Sequence, residues 1–146
     1  MELKRLRIRR LKAADAAGIR RIQRAITTAP IEIDYHKIVK EEAGRRDRIG
    51  FVAEVEDNLV GYMIAYIIQG GFGLEKSAWI ALFGVEPKFM GGGIGKRLAK
   101  EIFSALKKAG IKSVFTSVRW DSTDLLSFFK SLGFDRSNFI NLKRVL

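Results

Sequence analysis

A mixed α/β fold on one central sheet, with elements in the order β-α-α-β-β-β-α-β-α-β, is what the sequence predicts, and three observations carry that prediction. Alternating or β-branched runs and segments with apolar residues at helical spacing follow one another along the chain. Residues 51–68 read as a hairpin, two strands around a polar turn. No internal repeat, low-complexity stretch or linker interrupts the 146 residues, so residues 1–146 are expected to form one domain.

Leu3 to Arg10 alternates Leu6 and Ile8 with basic neighbours, the pattern of a strand with one buried face. A helix then starts at Ala14 or Asp15. Ile19, Ile22 and Ile26 recur at helical spacing, Arg20, Arg21 and Arg24 fall on an outer, solvated face, and Pro30 breaks the pattern. Asp34 to Ala43 is expected as a short second helix anchored by Ile38 and Val39 and stopped by Gly44. Phe51, Ala53 and Val55 alternate with Val52, Glu54 and Glu56, the turn pair Asp57-Asn58 follows, and Leu59 to Ile68 runs back as a long apolar strand.

Gln69 to Ser77 holds Gly70, Gly71 and Gly73 and reads as a flexible connection to the strand Ala78 to Val85, which completes an antiparallel meander. Ile94, Leu98, Ile102 and Leu106 then repeat every four residues, with Gly110 where a helix C-cap glycine belongs. Ile111 to Val118 is a β-branched strand. Leu125, Leu126, Phe129 and Leu132 mark a last helix ended by Gly133, and Phe139 to Leu146 is expected as a closing strand.

Composition narrows the function classes. The chain has no cysteine, which excludes disulfides, thiolate metal sites and a cysteine nucleophile and favours the cell interior. Met1 to Arg10 lacks the continuous apolar core of a signal peptide and no apolar run approaches membrane-spanning length, so a cytoplasmic protein with no membrane partner is expected. Lysine and arginine number 27 against 16 acids, a net charge of +11 that attracts polyanions. No element interleaves basic and aromatic residues in a recognition pattern, so nucleic acid is expected to bind only nonspecifically. His36, the one histidine, reads as a surface residue, and no metal-ligand spacing occurs.

Between the strand ending at Val85 and the strongest helix lies Val85-Glu86-Pro87-Lys88-Phe89-Met90-Gly91-Gly92-Gly93-Ile94-Gly95-Lys96. A helix start offers unpaired N–H groups and a partial positive charge, and glycines let phosphate oxygens approach closely, so a diphosphate is the natural guest. A Walker loop is ruled out because Met90 stands five positions before Gly95 and Arg97 follows Lys96. The dinucleotide fingerprint fails because its third glycine position holds Lys96.

The stretch instead resembles the signature of the GNAT superfamily of N-acetyltransferases, in which Arg or Gln, two variable residues, Gly, one variable residue and Gly or Ala open the helix. Gly93 and Gly95 match it, Val85 and Pro87 sit where relatives carry a valine and a proline, and Met90 replaces the usual Arg or Gln. Downstream, Ser127-Phe128-Phe129-Lys130-Ser131-Leu132-Gly133-Phe134 resembles the family's helix that ends in an aromatic pair, a leucine, a glycine and a phenylalanine. The resemblance implies that acetyl-coenzyme A is the co-substrate and that no metal takes part. It implies a binding set of Val85, Met90, Gly91, Gly92, Gly93, Ile94, Gly95, Lys96, Arg97, Ser122 and Phe129, with main-chain groups from Gly91 to Lys96 around the pyrophosphate. Lys88, Lys100 and Lys130 are further candidates to neutralise phosphates. Ser122 and Asp121 stand where relatives hold an asparagine against the pantetheine arm, and Ser122 reads equally as a helix N-cap.

By the same resemblance, the main chain at Gly84 and Val85 would face the thioester. The family's tyrosine acid is replaced by Phe129, so the thiolate is expected to leave with help from solvent, with Tyr35 and Tyr66 as alternative donors. The family's glutamate base is replaced by Trp79, which leaves Glu54, Glu75, Asp34 and His36 as bases acting through water. The implied function is an N-acetyltransferase in which a primary amine attacks acetyl-coenzyme A directly in a ternary complex. The basic surface points to a protein lysine or N-terminal amine in an acidic context. A small-molecule amine or polyamine acceptor is one alternative; a catalytically weak acyl-coenzyme A-binding regulatory module is another, motivated by Phe129 and Trp79. Pairing of Phe139 to Leu146 edges would give a homodimer.

Overall fold

Alternation in the four longer strands and helical periodicity in the segments between them produce a single twisted sheet with helices on its faces. The computed structural model describes residues 5–26, 37, 39–40, 45–71 and 73–146. The strands are β1 (Leu6–Arg10), β2 (Arg48–Val55), β3 (Asn58–Gln69), β4 (Lys76–Val85) and β5 (Val114–Thr116), and they lie side by side in chain order. The first four pair antiparallel, as the expected meander requires, and β5 joins β4 in parallel. The helices are α1 (Ala16–Ile26), α2 (Ile94–Lys108) and α3 (Thr123–Ser131). Among the described residues none is long and apolar enough to cross a membrane.

The sheet separates two apolar layers. Ile94, Leu98, Ile102 and Leu106 of α2 pack on Phe51, Ala53, Val60 and Met63, while Ile19 and Ile22 of α1 pack on Val52, Tyr62 and Ile64. Consecutive β3 residues serve the two layers in turn: Tyr62 and Ile64 face α1, Met63 and Ala65 face α2, and all four are fully buried. Strand alternation on both faces explains why β3 reads as an almost continuous apolar run. Lys37, Val39 and Lys40, from the segment expected as a second helix, are helical, and Val39 is buried in the α1 layer; the rest of that prediction, with Asp34, Ile38 and Gly44, lies outside the described residues, as does Pro30.

Several boundaries differ from expectation. The hairpin turn is Glu56-Asp57, both left-handed (φ 51° and 66°), and Asn58 opens β3 opposite Val55. Two successive positive φ values twist the chain with the sheet, so the tight turn forms one residue earlier. The strand expected over Ile111 to Val118 narrows to Val114–Thr116, because β4 offers a partner only from Ala78 to Ile80. Arg21 is not merely solvated: its guanidinium donates to the Leu59 carbonyl at 2.7 Å and meets Glu86 at 3.6 Å.

The closing strand expected over Phe139 to Leu146 does not form. Its apolar residues fall at 139, 140, 142, 145 and 146, which defines no single face to bury, and Ile140, Leu142, Val145 and Leu146 are exposed. Side chains tie the start of this segment to the neighbourhood of β5: the Phe139 ring meets Phe115 at 5.8 Å, and Asn141 Nδ2 donates to Ser117 Oγ at 3.4 Å.

Candidate active site

The pairing of β3 with β4 carries one irregularity. Ile64 stands opposite Leu82 and Ala65 opposite Ile80, so Ala81 is an extra residue and β4 bulges there. The bulge changes which main-chain groups meet β3. Beyond it, the Glu86 N–H donates to the Val60 carbonyl at 2.8 Å. In an antiparallel ladder the residues facing the partner alternate, so Gly84 and Leu82 also turn their amides toward β3, and those of Phe83 and Val85 point to the opposite edge. On that edge β5 has already ended, at Thr116 opposite Ile80, and the Thr116 hydroxyl closes the pairing by donating to the Ile80 carbonyl at 2.9 Å. The two strands therefore diverge. Between them opens a cleft of about 150 Å³ lined by Ile80, Ala81, Leu82, Phe83, Thr116, Ser117, Val118, Leu125 and Phe129.

Strand β4 leads directly from this cleft into the glycine turn. A short 3-10 turn, Pro87–Phe89, reverses the chain, and Gly91 and Gly93 take φ of 84° and 82°, values that favour glycine. Gly93 caps α2 without any side-chain bond, and the first turn of the helix contains no acid. The Arg97 N–H, on the Gly93 carbonyl at 3.1 Å, is the first helical amide with an α-type acceptor, which leaves those of Ile94, Gly95 and Lys96 at the positive end of the helix dipole, whereas the Gly92 N–H donates to the Phe89 carbonyl at 3.4 Å. Gly95 is small for a packing reason: a Cβ there would stand 2.9 Å from the Phe128 ring and 3.1 Å from that of Phe83. Those two rings stack at 5.0 Å and tie the helix start to the cleft wall. Lys96 and Arg97 are exposed beside the turn, and Met90 is 58% exposed at its entrance.

The other residues singled out from sequence fall as follows. Phe129 is buried, in edge contact with Phe83, Phe128 and Phe134, and contributes an apolar wall to the cleft. Ser122 occupies the N-cap of α3, but its hydroxyl makes no capping bond. Asp121 pairs with Arg119 at 2.9 Å, whose hydrogen bonds hold the carboxyl below its usual range. Lys88 is drawn to Glu86 at 3.7 Å, and Lys100 and Lys130 are exposed. Asp34, Tyr35 and His36 lie outside the described residues.

Two of the bases expected from sequence, Glu54 and Glu75, are placed as follows. Glu54 is bound by Arg9 at 2.7 Å and approached by Arg7 at 3.8 Å. Arg9 in turn clasps Asp15 through two bonds of 2.7 and 2.9 Å, and these carboxylates raise its pKa further, Asp15 foremost and against the opposing effect of burial. Glu54 thus belongs to a clasp between β1, β2 and the start of α1. Glu75 precedes β4 at its far end, nine residues or roughly 30 Å of extended chain from Gly84. Trp79 stacks on Phe115 at 4.8 Å, and Tyr66, opposite Trp79 and beneath the Arg48 guanidinium, is likewise remote from the glycine turn. Among the described residues no cluster of His, Cys, Asp and Glu is arranged to hold a metal.

Three residues of the site lie outside the sequence expectations: Thr116 and Ser117, the two polar side chains among the described residues of the cleft, and Tyr62, whose buried hydroxyl donates to Gln23 Oε1 at 2.6 Å. Their residue types carry no signal. The site follows from the bulge, which periodicity does not reveal.

Comparison with known proteins bears on the family and the fold. The acetyltransferase (GNAT) family model matches residues 16–134. A mycothiol acetyltransferase of Amycolatopsis mediterranei is 26% identical over 117 residues, covering 78% of this chain and 37% of that protein. One of Renibacterium salmoninarum is 30% identical over 92 residues, covering 62% and 27%. The chain thus spans about a third of the length of these curated relatives. Among solved structures, the aminoglycoside acetyltransferase AAC(6')-Iy with a bisubstrate analogue superposes with a TM-score of 0.83 at 14% identity, over 97% of this chain and 98% of that one. A ribosomal-protein-alanine N-acetyltransferase from Brucella melitensis biovar Abortus 2308 gives 0.78 at 16% identity, over 97% and 99%. The two likenesses show a shared fold, and with the family match across residues 16–134 the chain belongs to the acetyltransferase (GNAT) family.

Proposed function

We propose that the chain transfers the acetyl group of acetyl-coenzyme A to a primary amine by direct attack in a ternary complex. The observation that carries this reading is the continuity of one strand: β4 exposes its amide edge to a cleft and then runs straight into an anion-binding helix start. A thioester and a diphosphate are joined in one molecule by a long arm, and these two features lie at the ends of such a path. In this reading the main-chain groups from Gly91 to Lys96, with Ile94 and Gly95 between, bind the pyrophosphate. Lys96 and Arg97 add charge, Met90 and Ser122 border the arm, and the apolar cleft with Phe129 and Val85 encloses its reactive end. The N–H groups of Val85 and Phe83 are the donors for the carbonyl oxygen as it becomes negative. Gly84, whose own amide faces β3, contributes by keeping the strand close to Tyr62.

The acceptor favoured is a protein lysine or N-terminal amine. A net charge of +11 repels polycations such as aminoglycosides and polyamines and attracts an amine carried in an acidic setting. An aminoglycoside acetyltransferase and a ribosomal-protein-alanine N-acetyltransferase both share the fold, so the fold admits either class of acceptor and the charge makes the choice. Phe129 carries no proton to give, which favours an acyl-coenzyme A-binding regulatory module as the second reading. Calorimetric titration with acetyl-coenzyme A, followed by thiol release with peptide and small-molecule amines, separates the two. Binding with release supports the transferase, binding without release supports the module, and no binding overturns both.

A further inference from the structure

The cleft has to stabilise a charge for which its walls are poorly equipped. Among the described residues nine line it, seven of them apolar, and neither a lysine, an arginine, a histidine nor a tyrosine is among those nine. When an amine displaces the coenzyme, the C–S bond breaks, the sulfur keeps the electron pair, and a thiolate forms in apolar surroundings, where an anion without a hydrogen-bond donor is costly. Two side chains in the cleft carry an O–H. That of Thr116 is spent on the Ile80 carbonyl at 2.9 Å. Ser117 is different: it accepts from Asn141 Nδ2 at 3.4 Å, which leaves its own hydrogen to donate.

Resting on the function proposed above, we infer that Ser117 donates a hydrogen bond to the coenzyme A sulfur and stabilises the departing thiolate in place of the aromatic hydroxyl that Phe129 lacks. The proton stays on Ser117 Oγ throughout, because a serine hydroxyl is too weak an acid to surrender it; the amine nitrogen that forms the new C–N bond sheds its proton to solvent, and the thiolate takes up a proton from solvent after release. Asn141 is a positioning residue. Its amide occupies a lone pair of Ser117 and so turns the O–H away from the tail, and the segment that failed to form a strand is thereby tied to the site by a polar contact. Ser117 is itself exposed at the cleft mouth, so its substitution should leave the fold intact.

The test uses the whole chain with coenzyme A and reads the ionisation of the bound thiol from thiolate ultraviolet absorbance across pH, alongside calorimetric affinity near neutral pH. Ser117→Ala is expected to raise the bound thiol's pKa by about one unit and to lower kcat about ten- to a hundredfold, with the acetyl-coenzyme A KM within about twofold. Ser117→Thr should keep both values near wild type, and Phe129→Tyr in the Ser117→Ala background should restore part of kcat. An unchanged thiol pKa in Ser117→Ala, with coenzyme A still bound, overturns the assignment of Ser117 alone. Failure of the unsubstituted chain to bind coenzyme A overturns the parent reading instead.

Discussion

The hydroxyl oxygen of Tyr62 stands 2.9 Å from the point a Cβ on Gly84 would occupy, and the ring carbon Cε1 stands 2.8 Å from it. Tyr62 is fully buried and its hydroxyl is bonded to Gln23 of α1, so the ring has no open space to retreat into. The absent side chain at Gly84 is thus what lets the edge of β4 lie against β3 while α1 packs beneath it.

Gly84→Ala is therefore expected to destabilise the fold by roughly 1 to 3 kcal/mol, the usual cost of overpacking. Truncating the obstacle in Gly84→Ala/Tyr62→Phe should recover part of the loss, since the hydroxyl is one of the clashing atoms. Urea denaturation of the two variants measures this. Equal stabilities for both would show that the Tyr62 hydroxyl is not what excludes the methyl.

Glu54 and Arg9 predict a separation of stability from chemistry. Arg9 is 18% exposed and joins two carboxylates from different elements, so Arg9→Met should cost roughly 3 kcal/mol by stranding both. Arg9→Lys should rescue little, because an ammonium cannot reproduce the forked contacts to Asp15. Glu54→Gln should lower stability by a smaller amount and leave kcat within about twofold. A kcat loss of a hundredfold or more in Glu54→Gln, with the fold intact, would return that residue to the chemistry.

Gly93 and Gly95 fail for different reasons when changed. Gly93→Ala forces a side chain into a left-handed conformation in open space, at about 1 to 2 kcal/mol, and should weaken acetyl-coenzyme A binding by disturbing the cap. Gly95→Ala drives a methyl into the Phe128 and Phe83 rings, so it should disturb the cleft as well. Adding Phe128→Leu should relieve Gly95→Ala and leave Gly93→Ala as it was. Calorimetric Kd values for the four variants read the contrast.

The parts of the molecule legible in its sequence are those set by local repetition. The four-residue period from Ile94 to Leu106 has one solution, a helix with a single buried face, and the alternation around Phe51 fixes a strand to within a few residues. The glycine turn was legible because Gly91 and Gly93 need a backbone that other residues avoid. What could not be read depends on partners distant in sequence. The clasp that holds Glu54 is set by Arg9, 45 residues away. Which amides of β4 face the cleft is decided by the extra residue Ala81, an alanine like any other in a strand. The tail is apolar enough for a strand, yet its spacing gives it no face to bury.

Met90 supplies the last prediction. It stands at the entrance to the glycine turn, 58% exposed, in the position where the family pattern carries Arg or Gln, next to amides directed at the proposed pyrophosphate site. Met90→Arg adds a long cation there without displacing packed atoms. An exposed charge pair contributes up to about 1 kcal/mol, so the acetyl-coenzyme A Kd should tighten by up to about fivefold at low salt. The gain should fade toward molar salt, where the Debye length falls to about 3 Å. Met90→Leu, which keeps the apolar bulk, should leave Kd unchanged at either ionic strength. Calorimetry of the three proteins at two salt concentrations settles the matter: if Met90→Arg leaves Kd where it was at low salt, the diphosphate does not sit at this turn, and the cleft would have to be filled from another direction.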